Sequence, residues 1–178
     1  MKKKSYAIYT TMLVIISLVF SASQASAQSN YTGTWKLDTL ASEFNKVPSG
    51  RAAVKELVIT QDQQQITIEK LAVNTDGQPY RFRETLAFDG STTENPVPYS
   101  SPRKITKSSS VKTEADGKSL LQNSKYHVEE ADHSQWMFAV SERYGLSADG
   151  KTLTIEKTSI SPAGTEKVKA VYAKNKAQ

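Results

Sequence analysis

The stretch that decides the fold is Gly33-Thr34-Trp35-Lys36-Leu37, which begins six residues beyond a predicted export cleavage site. It forms most of a predicted strand over Thr32–Asp38. Eight further predicted strands follow it, so its position gives this short motif its weight. The motif therefore predicts the start of a β-rich domain.

Residues 1–27 have the composition of a cleavable signal peptide. Lys2-Lys3-Lys4 form a basic segment, Met12–Phe20 an apolar one, and Ala25-Ser26-Ala27 an A-x-A cleavage site. Polar residues leave the apolar run too short for a bilayer, which takes about 20 residues. We therefore expect cleavage after residue 27 and one soluble exported domain over residues 28–178, either periplasmic or secreted.

The composition bears on partners and anchors. The chain contains no cysteine, so we expect neither a lipid anchor nor disulfide bonds, although an exported protein can form them. Without the three lysines of the predicted signal peptide, 20 basic residues stand against 18 acidic ones. These basic residues are scattered among the acidic ones, which argues against nucleic-acid binding. We also expect no membrane span.

Turn signals divide the rest of the chain into short alternating segments. Asp-Gly pairs flanked by such segments are the strongest local hairpin signal, and further turns are predicted at Gln61–Gln64 and Pro162–Gly164. The Asp-Gly pairs are Asp76-Gly77, Asp89-Gly90, Asp116-Gly117 and Asp149-Gly150. The nine predicted strands are Thr32–Asp38, Val54–Gln61, Gln65–Asn74, Tyr80–Phe88, Ser109–Glu114, Ser119–Glu129, Gln135–Tyr144, Thr152–Ser161 and Thr165–Lys174.

This pattern predicts an all-β fold, an antiparallel up-and-down meander closed into a β-barrel of 8–10 strands, because closure removes exposed edges. A β-sandwich would show the same alternation. The connection Thr39–Ala53 leaves room for at most one short helical turn. The connection Ser91–Lys107 holds three prolines, too many for a central strand, and is predicted to be a mobile flap over an opening.

Both ends of the predicted domain resemble those of calycin barrels. Fatty-acid-binding proteins begin with Gly-Thr-Trp-Lys-Leu and end with Val-Tyr and a basic residue, as in Val171-Tyr172-Ala173-Lys174. Ser42-x-Phe44 and the stretch Asp149–Thr154 also resemble small exported bacterial proteins of lipocalin-like type. The resemblance implies a lipocalin-like barrel whose closed end is plugged by an inward Trp35, with Gly33 beneath it and Tyr172 nearby as a structural floor.

The sequence also departs from these families. The connection Thr39–Ala53 is too short for the helix pair that covers fatty-acid-binding barrels, and no helix is predicted after the last strand. The fold is therefore carried over, but no particular ligand is, because fold alone does not establish function.

Two predicted strands carry aromatic faces that would line a pocket. These residues are Phe82 and Leu86 on one strand, and Trp136, Phe138 and Tyr144 on the other. An interior of this size holds either side chains or one small ligand. The same residues could equally form a filled core, since pockets and cores use the same apolar side chains.

Glu84 and Glu142 fall on these apolar faces, where a carboxylate is costly unless it is paired. One interpretation is a polar handle that orients a ligand hydroxyl or amine. The other is a β-bulge or strand end that returns each carboxylate to water, or a pair with Arg83, Arg143 or a lysine. We favour the second because alternation often breaks near barrel rims.

Fatty-acid-binding barrels commonly hold a ligand carboxylate with an interior arginine and a tyrosine. Here the alternation places Arg81, Arg83 and Arg143 on the outer face. An arginine near Tyr126 or Tyr172 would take that role only if the phase of its strand were reversed.

His127 and His133 are the only histidines, and both lie in a predicted turn centred on Glu130. That turn could place them opposite each other beside Glu129 and Asp132 as a surface metal site. Charged hairpin tips are usually just solvated, so we expect no metal.

No nucleophile elbow, phosphate loop or Cys–His arrangement is present. We therefore expect no cofactor and no enzyme activity, leaving open only an acid–base role for Glu84 and Glu142. The expected function is non-covalent binding of a small apolar or amphipathic ligand inside the barrel. The alternative is a protein-interaction or inhibitor module with a filled barrel that acts through residues 91–107.

Overall fold

A computed structural model describes residues 28–48, 52–73, 78–98 and 102–175. The predicted signal peptide and the predicted Asp76-Gly77 turn lie outside these residues. In the part that is described, no helix is long and apolar enough to cross a membrane.

The described residues form ten antiparallel strands, one more than predicted. The strands are β1 (Gly33–Glu43), β2 (Glu56–Gln61), β3 (Gln65–Val73), β4 (Pro79–Ala87), β5 (Thr93–Pro96), β6 (Lys104–Thr113), β7 (Ser119–Glu129), β8 (Gln135–Leu146), β9 (Thr152–Ser161) and β10 (Gly164–Lys174). The predicted class, an all-β meander, is confirmed.

The two long connections are shorter than predicted. β1 continues to Glu43, and the helical turn predicted within 39–53 falls partly on residues 49–51, which are not described. The predicted flap over 91–107 contains β5 and the first residues of β6. β5 ends at Pro96 and is the last strand of the sheet, a place where proline is tolerated because one side of the strand has no partner.

Three of the described turns are built around Asp-Gly pairs, as predicted. Gly90, Gly117 and Gly150 have φ angles of 80°, 65° and 67°, a backbone region that glycine adopts without steric cost. Asp89-Gly90, however, joins β4 to β5, which lie at opposite ends of the sheet order. The hairpin predicted there is therefore wrong, because a turn signal does not determine which strands pair.

The first and last strands pair and convert the meander into a barrel. The strand order is β4-β3-β2-β1-β10-β9-β8-β7-β6-β5. Trp35 of β1 lies opposite Lys174 of β10, and Leu37 lies opposite Tyr172. The β1–β10 pair thus joins strands β1–β4 and strands β5–β10 into one continuous sheet, which ends at β4 and β5.

A buried ion pair joins β4 to β6 across this break in the sheet, which we call the seam. Lys107 Nζ of β6 lies 2.6 Å from Glu84 Oε1 of β4, and the two side chains are 1% and 0% exposed. Gln122 of β7 also donates its Nε2 to Glu84 Oε1 at 2.7 Å. Side chains therefore hold the barrel together where the strand order ends.

One half of the barrel is packed with apolar side chains. Trp35 is fully buried and donates Nε1 to the carbonyl oxygen of Tyr31 at 3.0 Å. The hydroxyl of Tyr31 donates to the carbonyl oxygen of Tyr144 at 3.1 Å, which ties β8 to the segment before β1. Gly33 lies against Lys174, since an added Cβ would approach its Cε to 2.6 Å.

We predict that Lys107→Met destabilises the protein by about 3–5 kcal/mol, because it leaves the Glu84 carboxylate buried without a counter-charge. Combining it with Glu84→Gln should recover part of the loss. The free energy of unfolding from urea titration measures both effects. Lys104→Met, on the same strand but with a 79% exposed side chain, is the matched control and should have little effect. A loss no larger than that of the control would contradict a closing role for the pair.

Candidate functional site

A cavity of about 830 Å³ occupies the other half of the barrel. β8 enters this half at Trp136 and leaves it near Glu142, and β7 contributes Tyr126. The cavity lining comprises Ala52, Ala53, Val54, Leu57, Lys70, Ala72, Tyr80, Tyr126, Trp136, Phe138, Val140, Glu142, Ile155, Lys157, Ser159, Ser161, Pro162, Ala163, Glu166, Val168, Ala170 and Tyr172. The barrel is therefore packed at one end and hollow at the other.

Three stacked aromatic rings form one wall of the cavity. The rings of Tyr126 and Phe138 are 4.3 Å apart and 6° from parallel, and the rings of Trp136 and Phe138 are 5.5 Å apart. Tyr126 and Phe138 are direct cross-strand neighbours, a position in which aromatic pairs stabilise a sheet. They present an apolar surface at the cavity wall.

The turn between β7 and β8 holds this aromatic wall in place. Trp136 donates Nε1 to Glu130 Oε1 at 2.9 Å, and Arg103 donates Nε to Glu130 Oε2 at 2.7 Å. These two hydrogen bonds lower the pKa of the Glu130 carboxyl, with that from Trp136 contributing most. The end of the segment predicted as a flap is thus bound to the aromatic wall through Arg103 and Glu130.

An ion pair lies on the cavity wall beside the aromatic rings. Lys70 Nζ of β3 lies 3.0 Å from Glu142 Oε2 and 3.3 Å from Glu142 Oε1 of β8. Burial by itself raises the pKa of Glu142, but the positive charges of Lys70 and Lys107 outweigh it and lower the pKa to about 2. Burial alone would lower the pKa of Lys70, and Glu142 reverses that effect. Both groups are therefore charged at neutral pH.

A chain of buried hydrogen bonds connects this ion pair to the seam. The hydroxyl of Tyr144 donates to Gln122 Oε1 at 2.9 Å and lies 3.4 Å from Glu142 Oε2. Gln122 in turn donates to Glu84, the partner of Lys107. Burial, followed by the positive charge of Lys70, lowers the pKa of Lys107. The network links both ion pairs, and its members Lys70 and Glu142 line the cavity while the others lie behind them.

The structure separates the residues predicted to bind a ligand. Trp136, Phe138 and Glu142 line the cavity. Leu86 and Tyr144 lie in the packed core, and Phe82 is buried with its ring centroid 5.3 Å from Lys107 Nζ. Glu84 lies in the seam. The role of these predicted residues in ligand binding stays a prediction.

The predicted floor residue Trp35 is in the packed core, and Tyr172 is buried at the cavity wall.

Of the interpretations open for the two interior glutamates, the ion pair with a lysine is observed for both. Arg81 and Arg143 form outer-face ion pairs with Glu69 and Glu114. An acid–base role would need both interior carboxylates in one open cleft, and Glu84 is fully buried in the seam.

Sequence reasoning did not single out Lys70, Lys107 and Gln122. Lys70 follows Ile66 and Ile68 at two-residue spacing, so alternation alone places it inside the barrel. No face can be assigned to Lys107 from the sequence, because its segment is predicted to be a loop and not a strand.

The two histidines lie in or next to the β7–β8 turn, and both are exposed. His127 Nε2 lies 3.2 Å from Gln135 Oε1, and His133 Nδ1 lies 3.3 Å from Glu129 Oε1. Among the described residues, no group of three or more His, Asp or Glu side chains is arranged to hold a metal ion.

Comparisons with known proteins yield one solved structure. No family model matches the chain, and no curated protein matches it significantly. The chain is similar to the zebrafish ileal bile acid-binding protein, solved in complex with cholic acid, at 13% identity and a TM-score of 0.48. The similarity covers 83% of this chain and 100% of the zebrafish chain.

We predict that the destabilising effect of Glu142→Gln is largest near neutral pH and shrinks as the pH falls from the ordinary value of 4.5 to about 2. Between these pH values the Glu142 carboxylate is protonated in the unfolded state before it is protonated in the folded state. The wild type therefore loses on the order of 3 kcal/mol of stability as the pH falls, whereas Glu142→Gln, which has no carboxylate at this position, does not. Urea titrations of both proteins across this pH range measure the difference. Ser141→Ala, on the outer face of the same strand, should show no such convergence. A pH-independent difference for Glu142→Gln would contradict the prediction.

Proposed function

We propose that this chain is exported and that its barrel binds a small apolar or amphipathic molecule non-covalently in the cavity. The observation that carries the proposal is the hollow half of the barrel. Its volume of about 830 Å³ falls within the range of about 300–1,000 Å³ for small-molecule sites. A stable barrel needs no such space, because protein interiors are otherwise close-packed.

The lining of the cavity supports an amphipathic ligand. The stacked rings of Tyr126, Phe138 and Trp136 offer apolar surface, and each ligand methylene buried there contributes about 0.8 kcal/mol. The Lys70–Glu142 pair and the hydroxyl of Tyr80 offer a few polar groups at the same cavity. A mostly apolar lining with a few polar groups is the usual composition of such sites.

The competing function, an interaction module with a filled barrel, has less support. It requires a packed interior and a free loop over residues 91–107. Part of that segment belongs to β5 and β6, and Arg103 is bound to Glu130. Both interior carboxylates are held by lysines, so we propose binding without chemical conversion of the ligand.

Binding is tested with the neutral, environment-sensitive dye Nile red. We expect its fluorescence to increase on titration with the protein, and Phe138→Ala or Trp136→Ala to weaken the affinity by about tenfold, or 1.4 kcal/mol. Met137→Ala, whose side chain lies between these two on the outer face and is 68% exposed, is the matched control. If all three variants bind the dye as the wild type does, or if the wild type does not bind it, binding in this cavity is wrong.

Export is tested by expressing the full chain in a bacterial host and determining the mass of the product in the periplasmic and culture fractions. We expect the exported product to begin at Gln28, because cleavage follows Ala25-Ser26-Ala27. A chain beginning at Gln28 with an added initiator Met should remain in the cytoplasm. Full-length protein confined to the cytoplasm would contradict export.

A further inference from the structure

We infer that the cavity selects neutral amphiphiles with a hydroxyl or carbonyl head group over the corresponding carboxylates. This inference rests on the proposed function and specifies the class of ligand. It follows from the way in which the charges at the cavity are already paired.

Among the residues that the structure describes, the charged side chains at the cavity wall are equal in number and opposite in sign. Two lysines, Lys70 and Lys157, and two glutamates, Glu142 and Glu166, line the cavity. Lys70 is bound to both oxygens of Glu142. Lys157 is the cross-strand neighbour of Glu142, and its Nζ donates to the carbonyl oxygen of Ala52.

The charges behind the wall are balanced as well. Lys107 and Glu84 form the seam ion pair, and Gln122 and Tyr144 supply hydrogen bonds between this pair and Glu142. A ligand that enters the cavity therefore meets Lys70 already paired with Glu142, and Lys157, on the strand next to Glu142, already hydrogen-bonded to a backbone carbonyl.

A carboxylate head group is disfavoured by this arrangement. To reach the ammonium group of Lys70 it must lie beside Glu142 or displace it. Either position buries a negative charge without a full partner, which is costly away from water. The low pKa of Glu142 means that this side chain does not accept a proton at neutral pH to relieve the repulsion.

A neutral head group avoids this cost. A hydroxyl can donate to a Glu142 oxygen and accept from the Lys70 ammonium group while the ion pair stays intact. A carbonyl oxygen can accept from Lys70 or from the hydroxyl of Tyr80. The nearly parallel rings of Tyr126 and Phe138 then contact the apolar body of the same ligand.

The test compares two probes with the same chain length, 1-dodecanol and dodecanoate, the latter below its micelle concentration at pH 7. Each probe competes with Nile red for the wild-type protein. We expect dodecanol to displace the dye at a concentration lower by about tenfold or more, because only dodecanoate introduces an unpaired charge. Equal affinities, or tighter binding of dodecanoate, would overturn the inference.

Variants of the ion pair sharpen the comparison. Glu142→Gln leaves Lys70 without its counter-charge, so dodecanoate should bind about tenfold more tightly than to the wild type or better. Combining Lys70→Met with Glu142→Met removes both charges and should leave dodecanoate weak. Glu69→Gln, next to Lys70 but paired with Arg81 outside the cavity, is the matched control. Circular dichroism verifies that each variant keeps its β-structure.

The outcomes separate the two proposals. If Nile red binds and neither probe displaces it, the head-group inference fails and binding in the cavity stands. If Nile red binds and the acid is preferred, the inference likewise fails alone. If the wild type does not bind Nile red, both proposals fail.

Discussion

The ion pair between Glu84 and Lys107 is the contact on which the architecture depends. The strand order runs from β4 to β5, and between these ends the barrel is held by side chains. A buried ion pair is a specific way to hold them, because either partner alone would be a costly buried charge. Gln122 adds a second donor to the same carboxylate, which ties β7 to β4 as well as to its sheet neighbours β6 and β8.

The hydrogen-bond network also explains why the barrel has two unlike halves. Tyr144 belongs to the packed core, and its hydroxyl reaches Gln122 and Glu142. On one side of this polar network the interior is filled by residues such as Trp35 and Leu86. On the other side the barrel wall carries the aromatic rings and the interior is open. The polar layer thus marks the boundary between the packed core and the cavity.

Much of this arrangement follows from two-residue periodicity. Because successive side chains of a strand face opposite sides, the sequence predicts that Phe138 and Glu142 share a face and that Arg143 does not. Periodicity says nothing about contacts across the barrel, so neither lysine could be assigned to its glutamate. β5 was missed because proline argues against a central strand, whereas this strand lies at an edge. The hairpin predicted at Asp89-Gly90 is wrong for a similar reason. A turn depends on the residues within it, whereas the pairing of its flanking strands depends on the rest of the sheet.

The Lys70–Glu142 pair differs from the seam pair in what it faces. Replacing a buried ion pair with well-packed apolar residues is often neutral or stabilising, so stability alone does not require these charges on the cavity wall. Glu84 and Lys107 at least join β4, which ends the strand order, to β6 on the other side of the seam. Lys70 and Glu142 both line the open interior, where their charges are available to a molecule inside it. We propose that their opposite charges orient a neutral polar group of a bound molecule and disfavour a charged one, which is the role that distinguishes this pair from the seam pair.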